Sequence, residues 1–66
     1  MHIVVNGQSR EVADGTTLAD LIGEMEIQPR HVAVEVNLEL VPRTQHAAHE
    51  LKEGDNLEVV TLVGGG

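Results

Sequence analysis

Three groups of residues in this 66-residue chain have types and spacings that could do chemistry. His46 and His49 stand in an H-x-x-H spacing in "TQHAAHELK". On a helical turn they could share a metal, because imidazole is a common metal ligand. Two histidines do not complete a site, and a chain without cysteine has no thiolate to add. The expectation is a solvated surface pair and no metal. Glu50, Glu53, Asp55 and Glu58 gather around the last turn and strand. A carboxylate pair can act as general acid and base. No nucleophile, phosphate cradle or orienting group accompanies them, so a solvated acidic surface is expected, with partner steering as its other reading. The third group is the end, "TLVGGG", where a main-chain carboxyl on Gly66 stands behind Gly64 and Gly65. Glycine has no β-carbon and adopts dihedrals that other residues avoid. Three such residues reach about 10 Å when extended, enough to enter a narrow channel while a folded body stays outside. The plain alternative is an idle terminus.

Each group needs a body to hold it. A chain of 66 residues makes one domain. A domain of this size buries about 60% of its unfolded surface and gains a net stability on the order of 3–5 kcal/mol. Phe, Tyr, Trp and Cys are all absent, so the core must be aliphatic, and stiff Val suits a sheet. "HIVVN" reads as a strand, Asn6-Gly7 as a hairpin turn and "QSREVA" as the return strand, with Val12 inward and Glu11 outward. In "DGTTLADLIGEMEI" the period changes. Leu18, Leu21, Ile22 and Met25 share one helix face, Thr17 is the N-cap, and Asp20 lies in the acidic first turn. Gln28, preceding a proline, closes the helix.

"HVAVEVN" returns to period two, with Val32, Val34 and Val36 on one face. "LELVP" is a short extended piece that Pro42 confines to an edge or a strand end. "TQHAAHELK" makes one or two helical turns, capped by Thr44, with Ala48 and Leu51 inward; "EGDN" is a turn. "LEVVTLV" is the last strand, with Leu57, Val59, Thr61 and Val63 toward the core and Glu58, Val60 and Leu62 outward. The order reads β-β-α-β-β, one helix covering the apolar face of a mixed sheet. The usual crossover handedness then places the long last strand centrally and parallel to the first. This is an α+β, β-grasp arrangement. Residues 1–63 form the domain and 64–66 a flexible glycine tail.

The formal net charge of −7 and the scattered Arg10, Arg30, Arg43 and Lys52 argue against a nucleic-acid face. No aromatic is present to stack a base. "MHIVVNGQSR" lacks the apolar run and basic flank of a signal peptide, and no stretch approaches a membrane helix, so a cytoplasmic protein is expected. His2 and His31, at strand ends, are expected at the surface. Val60 and Leu62 either pack beneath the segment around residues 44–52 or form an apolar patch for partners, beside Glu58. Arg43 either contacts an acidic group of a partner or solvates its own turn.

The chain resembles the ThiS family, the sulfur-carrier proteins of thiamine biosynthesis, along its whole length. "VVNG", "DGTTLADLI", "VAVEVNLELVPR" and "LKEGDNLEVVTLVGGG" stand in the family's order. The resemblance implies a ubiquitin-like β-grasp fold. It also implies that a ThiF-type adenylyltransferase transfers AMP from ATP to the carboxylate of Gly66. Sulfur from a cysteine desulfurase or related donor then displaces the AMP, leaving a thiocarboxylate that supplies a ThiG-type thiazole synthase. On that reading Gly64 and Gly65 thread the partner's active site. The chain is a substrate rather than an enzyme and binds no cofactor, since ATP belongs to the activating partner.

The MoaD family, the small subunit of molybdopterin synthase, shares fold and chemistry but often carries a proline pair before its tail and lacks "VPR". Here Val41-Pro42-Arg43 is present and no proline lies near the end. A protein modifier of ubiquitin type, joined to lysines through Gly66, is the other reading. Two departures from the ThiS pattern stand out. "TQHAAH" lacks the aromatic often found shortly after "VPR", and Gly64 replaces a more usual alanine.

Overall fold

The computed structural model describes residues 1–62 of the chain. Val63, with its expected core-facing side chain, the domain boundary after it, and Gly64, Gly65 and Gly66 lie outside the described residues. Strands β1 (His2–Val5) and β2 (Gln8–Glu11) pair antiparallel around Asn6 and Gly7. Both turn residues have positive φ, 51° and 82°, as a tight two-residue hairpin requires. Helix α1 (Leu18–Glu24) follows, then β3 (Val32–Val36), β4 (Glu39–Val41) and β5 (Asn56–Thr61).

The five strands form one mixed sheet in the order β2-β1-β5-β3-β4. Strand β5 is central, parallel to β1 and antiparallel to β3. This bears out the β-grasp expectation and corrects the four-strand order, because "LELVP" supplies a true edge strand. Its turn, Asn37-Leu38, carries a second pair of positive φ values, 52° and 70°. A branched leucine in that region costs on the order of 1–2 kcal/mol. Nothing in the sequence marks a turn there beyond the asparagine.

The hydrophobic core follows from the two periods. Ile3 and Val5 of β1, Val32, Val34 and Val36 of β3, Val41 of β4, and Leu57 and Val59 of β5 all face Leu18, Leu21 and Ile22 of α1. Met25 and Ile27 pack partly against them. Thr61, expected inward, is exposed. Strand β1 pairs with β5 only through Val4 and Val5, so Thr61 has no neighbour on that flank.

The N-terminal turn of α1 is fully satisfied. Thr17 and Asp20 form a capping box, Asp20 N–H donating to Thr17 Oγ1 and Thr17 N–H to Asp20 Oδ2, both at 3.1 Å. The next free donors, Leu18 N–H and Ala19 N–H, reach the carbonyls of His49 and His46 at 2.9 and 3.1 Å. The segment after β4 is therefore a lid on the helix N-terminus. It begins with a short 3₁₀ turn, Arg43–Gln45. Thr44 does not cap it and Ala48 is exposed, against expectation; the backbone carbonyls hold the segment in place, and Leu51 alone carries its apolar burial.

Leu21 is wholly buried. Replacing a buried leucine by alanine costs about 2–5 kcal/mol, as much as a core of this size supplies. Leu21→Ala is therefore expected to be largely unfolded at 25 °C, which circular dichroism and urea titration measure directly.

Candidate functional site

The candidate site is the end of β5, where the central strand leaves the sheet. Three features hold its root. On one flank, β3 pairs with it in register, Ala33 opposite Val60 and Val32 opposite Thr61. Beyond the strand, Leu62 N–H donates to the carbonyl of His31 at 2.7 Å. On the other flank the side chain of Asn6 meets Val59 twice: Asn6 Oδ1 accepts from Val59 N–H at 2.8 Å and Asn6 Nδ2 donates to the Val59 carbonyl at 3.1 Å. Gly64, Gly65 and Gly66 lie outside the described residues.

Around the root the sheet shows its helix-free face. Glu58 and Val60 point outward from β5, and Val60 is 54% exposed. Leu62, 51% exposed, follows them. Neither apolar side chain is buried beneath the segment around residues 44–52; both are exposed. Ala33 and Glu35 of β3 lie beside Val60 and Glu58, and Leu40 lies beside Glu35 across β4. The result is a small apolar surface broken by two carboxylates. Arg43 is elsewhere. It lines a shallow cleft with Ala19, Ile22, His46 and Ala47 on the helix side of the sheet. The structure thus brings Glu58, Val60 and Leu62 together and leaves Arg43 apart.

The two histidines are not a solvated pair. His46 is 4% exposed, while His49 is half-buried. Nε2 of His46 lies 2.9 Å from the carbonyl of Val41. A carbonyl can only accept, so this nitrogen carries a proton and donates. His46 is a core residue that ties the lid to β4. The local sequence carries no signal for this burial, because the partner carbonyl comes from β4. Among the described residues no group of three or more His, Cys, Asp or Glu could hold a metal. His2 and His31 are exposed, as expected.

The acidic cluster also divides. Asp55, expected in a solvated surface, is buried. Its Oδ1 accepts from Asn37 Nδ2 at 3.0 Å and its Oδ2 from Lys52 N–H at 2.8 Å, stitching the β3–β4 turn to the one before β5. Glu50, Glu53 and Glu58 are exposed. A groove of about 310 Å³ runs past Asn37, Leu40, His49, Glu50, Lys52 and Asp55, at the opposite end of β5 from its root. It holds neither a nucleophile nor a phosphate cradle.

Among the described residues the site brings together no nucleophile, base and orienting group, and offers a strand end instead. Sequence reasoning missed Asn6 as part of it. An Asn-Gly pair signals a turn through its backbone, and nothing in the sequence shows where the amide goes.

Comparison with known proteins agrees with this geometry. Residues 3–66 match the ThiS family model. The chain is 30% identical over 66 residues to the sulfur carrier protein ThiS of Escherichia coli strain K12, with all of both chains covered. It is 42% identical over the same length to a thiazole synthase of Paramagnetospirillum magneticum, and spans 20% of that protein's length. The crystal structure of the thiamine biosynthesis protein ThiS from Geobacter metallireducens superposes with a TM-score of 0.84, at 32% identity, over the whole of both chains.

The buried histidine yields a test. His46→Ala strips the donor from the Val41 carbonyl and should lower stability by about 1–3 kcal/mol. His49→Ala should stay within about 0.5 kcal/mol of wild type. Zinc should leave the urea midpoint of the wild-type protein unchanged. A zinc-dependent rise lost in both variants would restore the metal pair.

Proposed function

The chain belongs to the ThiS family, and from that premise we propose that it is a sulfur carrier whose working group is the carboxylate of Gly66. The observation that carries the reading is the end-to-end match with the ThiS relatives, running to the last glycine, on a fold whose central strand leads to that glycine. The chemistry explains the design. A free carboxylate is a poor acyl donor because its charge and resonance repel nucleophiles. A carboxylate oxygen attacks the α-phosphorus of ATP, pyrophosphate leaves, and an acyl-adenylate forms. A sulfur nucleophile then attacks the carbonyl carbon and AMP leaves. Hydrosulfide gives the thiocarboxylate directly; a donor persulfide gives an acyl disulfide, from which a second thiol releases the thiocarboxylate by taking the donor's sulfur into a new disulfide.

Gly66 has no β-carbon to obstruct the attack at its carbonyl, and Gly64 and Gly65 let the backbone pass through a channel that side chains would widen. A thiol of its own is not needed, which suits a chain without cysteine. The catalytic groups and the ATP belong to the partners. The chain is thus a substrate rather than an enzyme, holds no cofactor, and works in the cytoplasm. The partners are a ThiF-type adenylyltransferase, a cysteine desulfurase or related sulfur donor, and a thiazole synthase. The full-length match to one fifth of a thiazole synthase supports the last of these, because a carrier joined to its acceptor must be able to reach it. No helix among the described residues is long and apolar enough to cross a membrane.

Partners grip the outer face of the sheet. Val60 and Leu62 offer apolar area beside the root, and Glu58 offers charge. With a net charge of −7, the chain approaches a basic surface. Arg43, on the helix side, makes a separate contact if it makes one.

Intact mass reads the reaction. With activating enzyme, ATP and a sulfur source, the wild-type chain should gain one sulfur in place of one oxygen. Deleting Gly66 should abolish the exchange and leave the urea midpoint unchanged. A chain lacking Gly66 that still takes up sulfur would refute the site, and an adduct through a lysine would point to a protein modifier. Val60→Asp should raise the KM of activation by about tenfold, equivalent to 1.4 kcal/mol, while leaving stability within about 0.5 kcal/mol.

A further inference from the structure

Strand β1 is too short to support the strand it flanks. It pairs with β5 at only two positions, Val4 with Asn56 and Val5 with Leu57. At Asn6 the chain swings away into the hairpin with φ 51°. Its backbone N–H still reaches the Leu57 carbonyl at 2.9 Å. The next peptide groups of β5 on this flank, the N–H and carbonyl of Val59, face the place that a longer β1 would occupy. The Asn6 amide fills that place, giving its oxygen to the N–H and its nitrogen to the carbonyl. A primary amide carries a donor and an acceptor in the arrangement of a peptide group. The ladder therefore runs one step past the strand that began it.

We propose that Asn6 is a positioning residue for the carrier reaction, its side chain fixing the root of β5 at Val59, the last step of the sheet on that flank before the chain passes to a partner. This rests on the sulfur-carrier reading. The other flank is already secured by β3 and by the His31 carbonyl. Without the amide, β5 is held on one side only from Val59 outward.

A strand end held on one flank can leave the sheet along several headings, and a docked body presents its chain productively along only some of them. A misplacement of about 1 Å at a reacting centre can cost on the order of 100-fold. The loss falls on turnover rather than on docking, because Glu58, Val60 and Leu62 keep their pairing or contact with β3 and its approach.

Position 6 makes two demands at once. The turn needs a residue tolerant of positive φ, which glycine, asparagine and aspartate meet. The ladder needs an amide, which asparagine and glutamine carry. Only asparagine meets both. Two substitutions separate the demands. Asn6→Gly keeps the turn and removes both side-chain bonds. Asn6→Asp keeps the turn and the acceptor for Val59 N–H, but sets a carboxylate against the Val59 carbonyl.

The experiment follows pyrophosphate release during adenylation of the full chain by a ThiF-type enzyme with magnesium and ATP, beside amide hydrogen exchange of the free protein. Asn6→Gly should lower kcat about tenfold, leave KM within about twofold, and speed exchange at Val59. Asn6→Asp should keep Val59 protected and give an intermediate kcat. Should Asn6→Gly melt below the assay temperature, Asn6→Asp decides alone. Unchanged kcat, or a loss carried wholly by KM, overturns the positioning role. Wild-type protein that accepts no AMP sinks the carrier reading and this role with it; wild type that is adenylated while the variants match it overturns this role only.

Discussion

A central strand has to be paired on both flanks, and this one must also let go of its own end. Those two demands on β5 shape most of the molecule. Inside the sheet, Leu57 and Val59 sit between β1 and β3 and pack under α1. Two residues later Thr61 has lost its β1 neighbour and faces solvent. The change from core strand to departing chain takes place within one step of the ladder. Asn6 and the His31 carbonyl stand at that step, one on each flank. Without the Asn6 amide the ladder on this flank would stop at Leu57, and a longer β1 would carry it on toward Thr61.

The body has little energy with which to meet those demands. Its hydrophobic cluster is built from Ile, Leu and Val, and α1 is seven residues long, about 10 Å. Isolated helices of that length are not stable in water. Polar stitching fills the gap. The helix N-terminus borrows carbonyls from His46 and His49, His46 fastens the same segment to β4, and Asp55 joins two turns through Asn37 and Lys52. Each bond is worth about 0.5–1.5 kcal/mol net. In a domain with a few kcal/mol in total, several of them decide whether it stays folded. The absence of unsatisfied buried side-chain atoms among the described residues fits that economy.

Where local pattern and tertiary role agree, the sequence was legible. The Asn6-Gly7 hairpin, the N-cap at Thr17, the α1 stripe and the central position of β5 all follow from period, turn chemistry and handedness. Residues whose role is set by a distant partner were not. His46 lies in a polar stretch, and only Val41, brought close by the edge strand, makes it a core residue. Asp55 looks like its acidic neighbours until Asn37 arrives from across the sheet. Leu38 gives no local hint that it will take a positive φ. The candidate site divides the same way. The proposal for Gly66 rests on main-chain chemistry and on the family match, and Gly66 lies outside the described residues. The outward face of Glu58 and Val60 followed from strand alternation, whereas the place of Arg43 depended on how the lid folds back over α1.

That division bears on how a sulfur carrier can be built. When the reactive group is a backbone carboxyl, no side chain of the body needs to enter a partner's active site. Recognition and chemistry then use different atoms. The sheet face can be matched to a partner by area and charge, and the tail can be matched to a channel by the absence of side chains. What couples them is the root of β5, since a docked body delivers its terminus only as accurately as that root is held. On the positioning proposal rigidity at Val59 is a functional requirement, and the groove lies at the opposite end of the strand. A body stabilised elsewhere but loosened at Asn6 would be the better-folded protein and the poorer carrier.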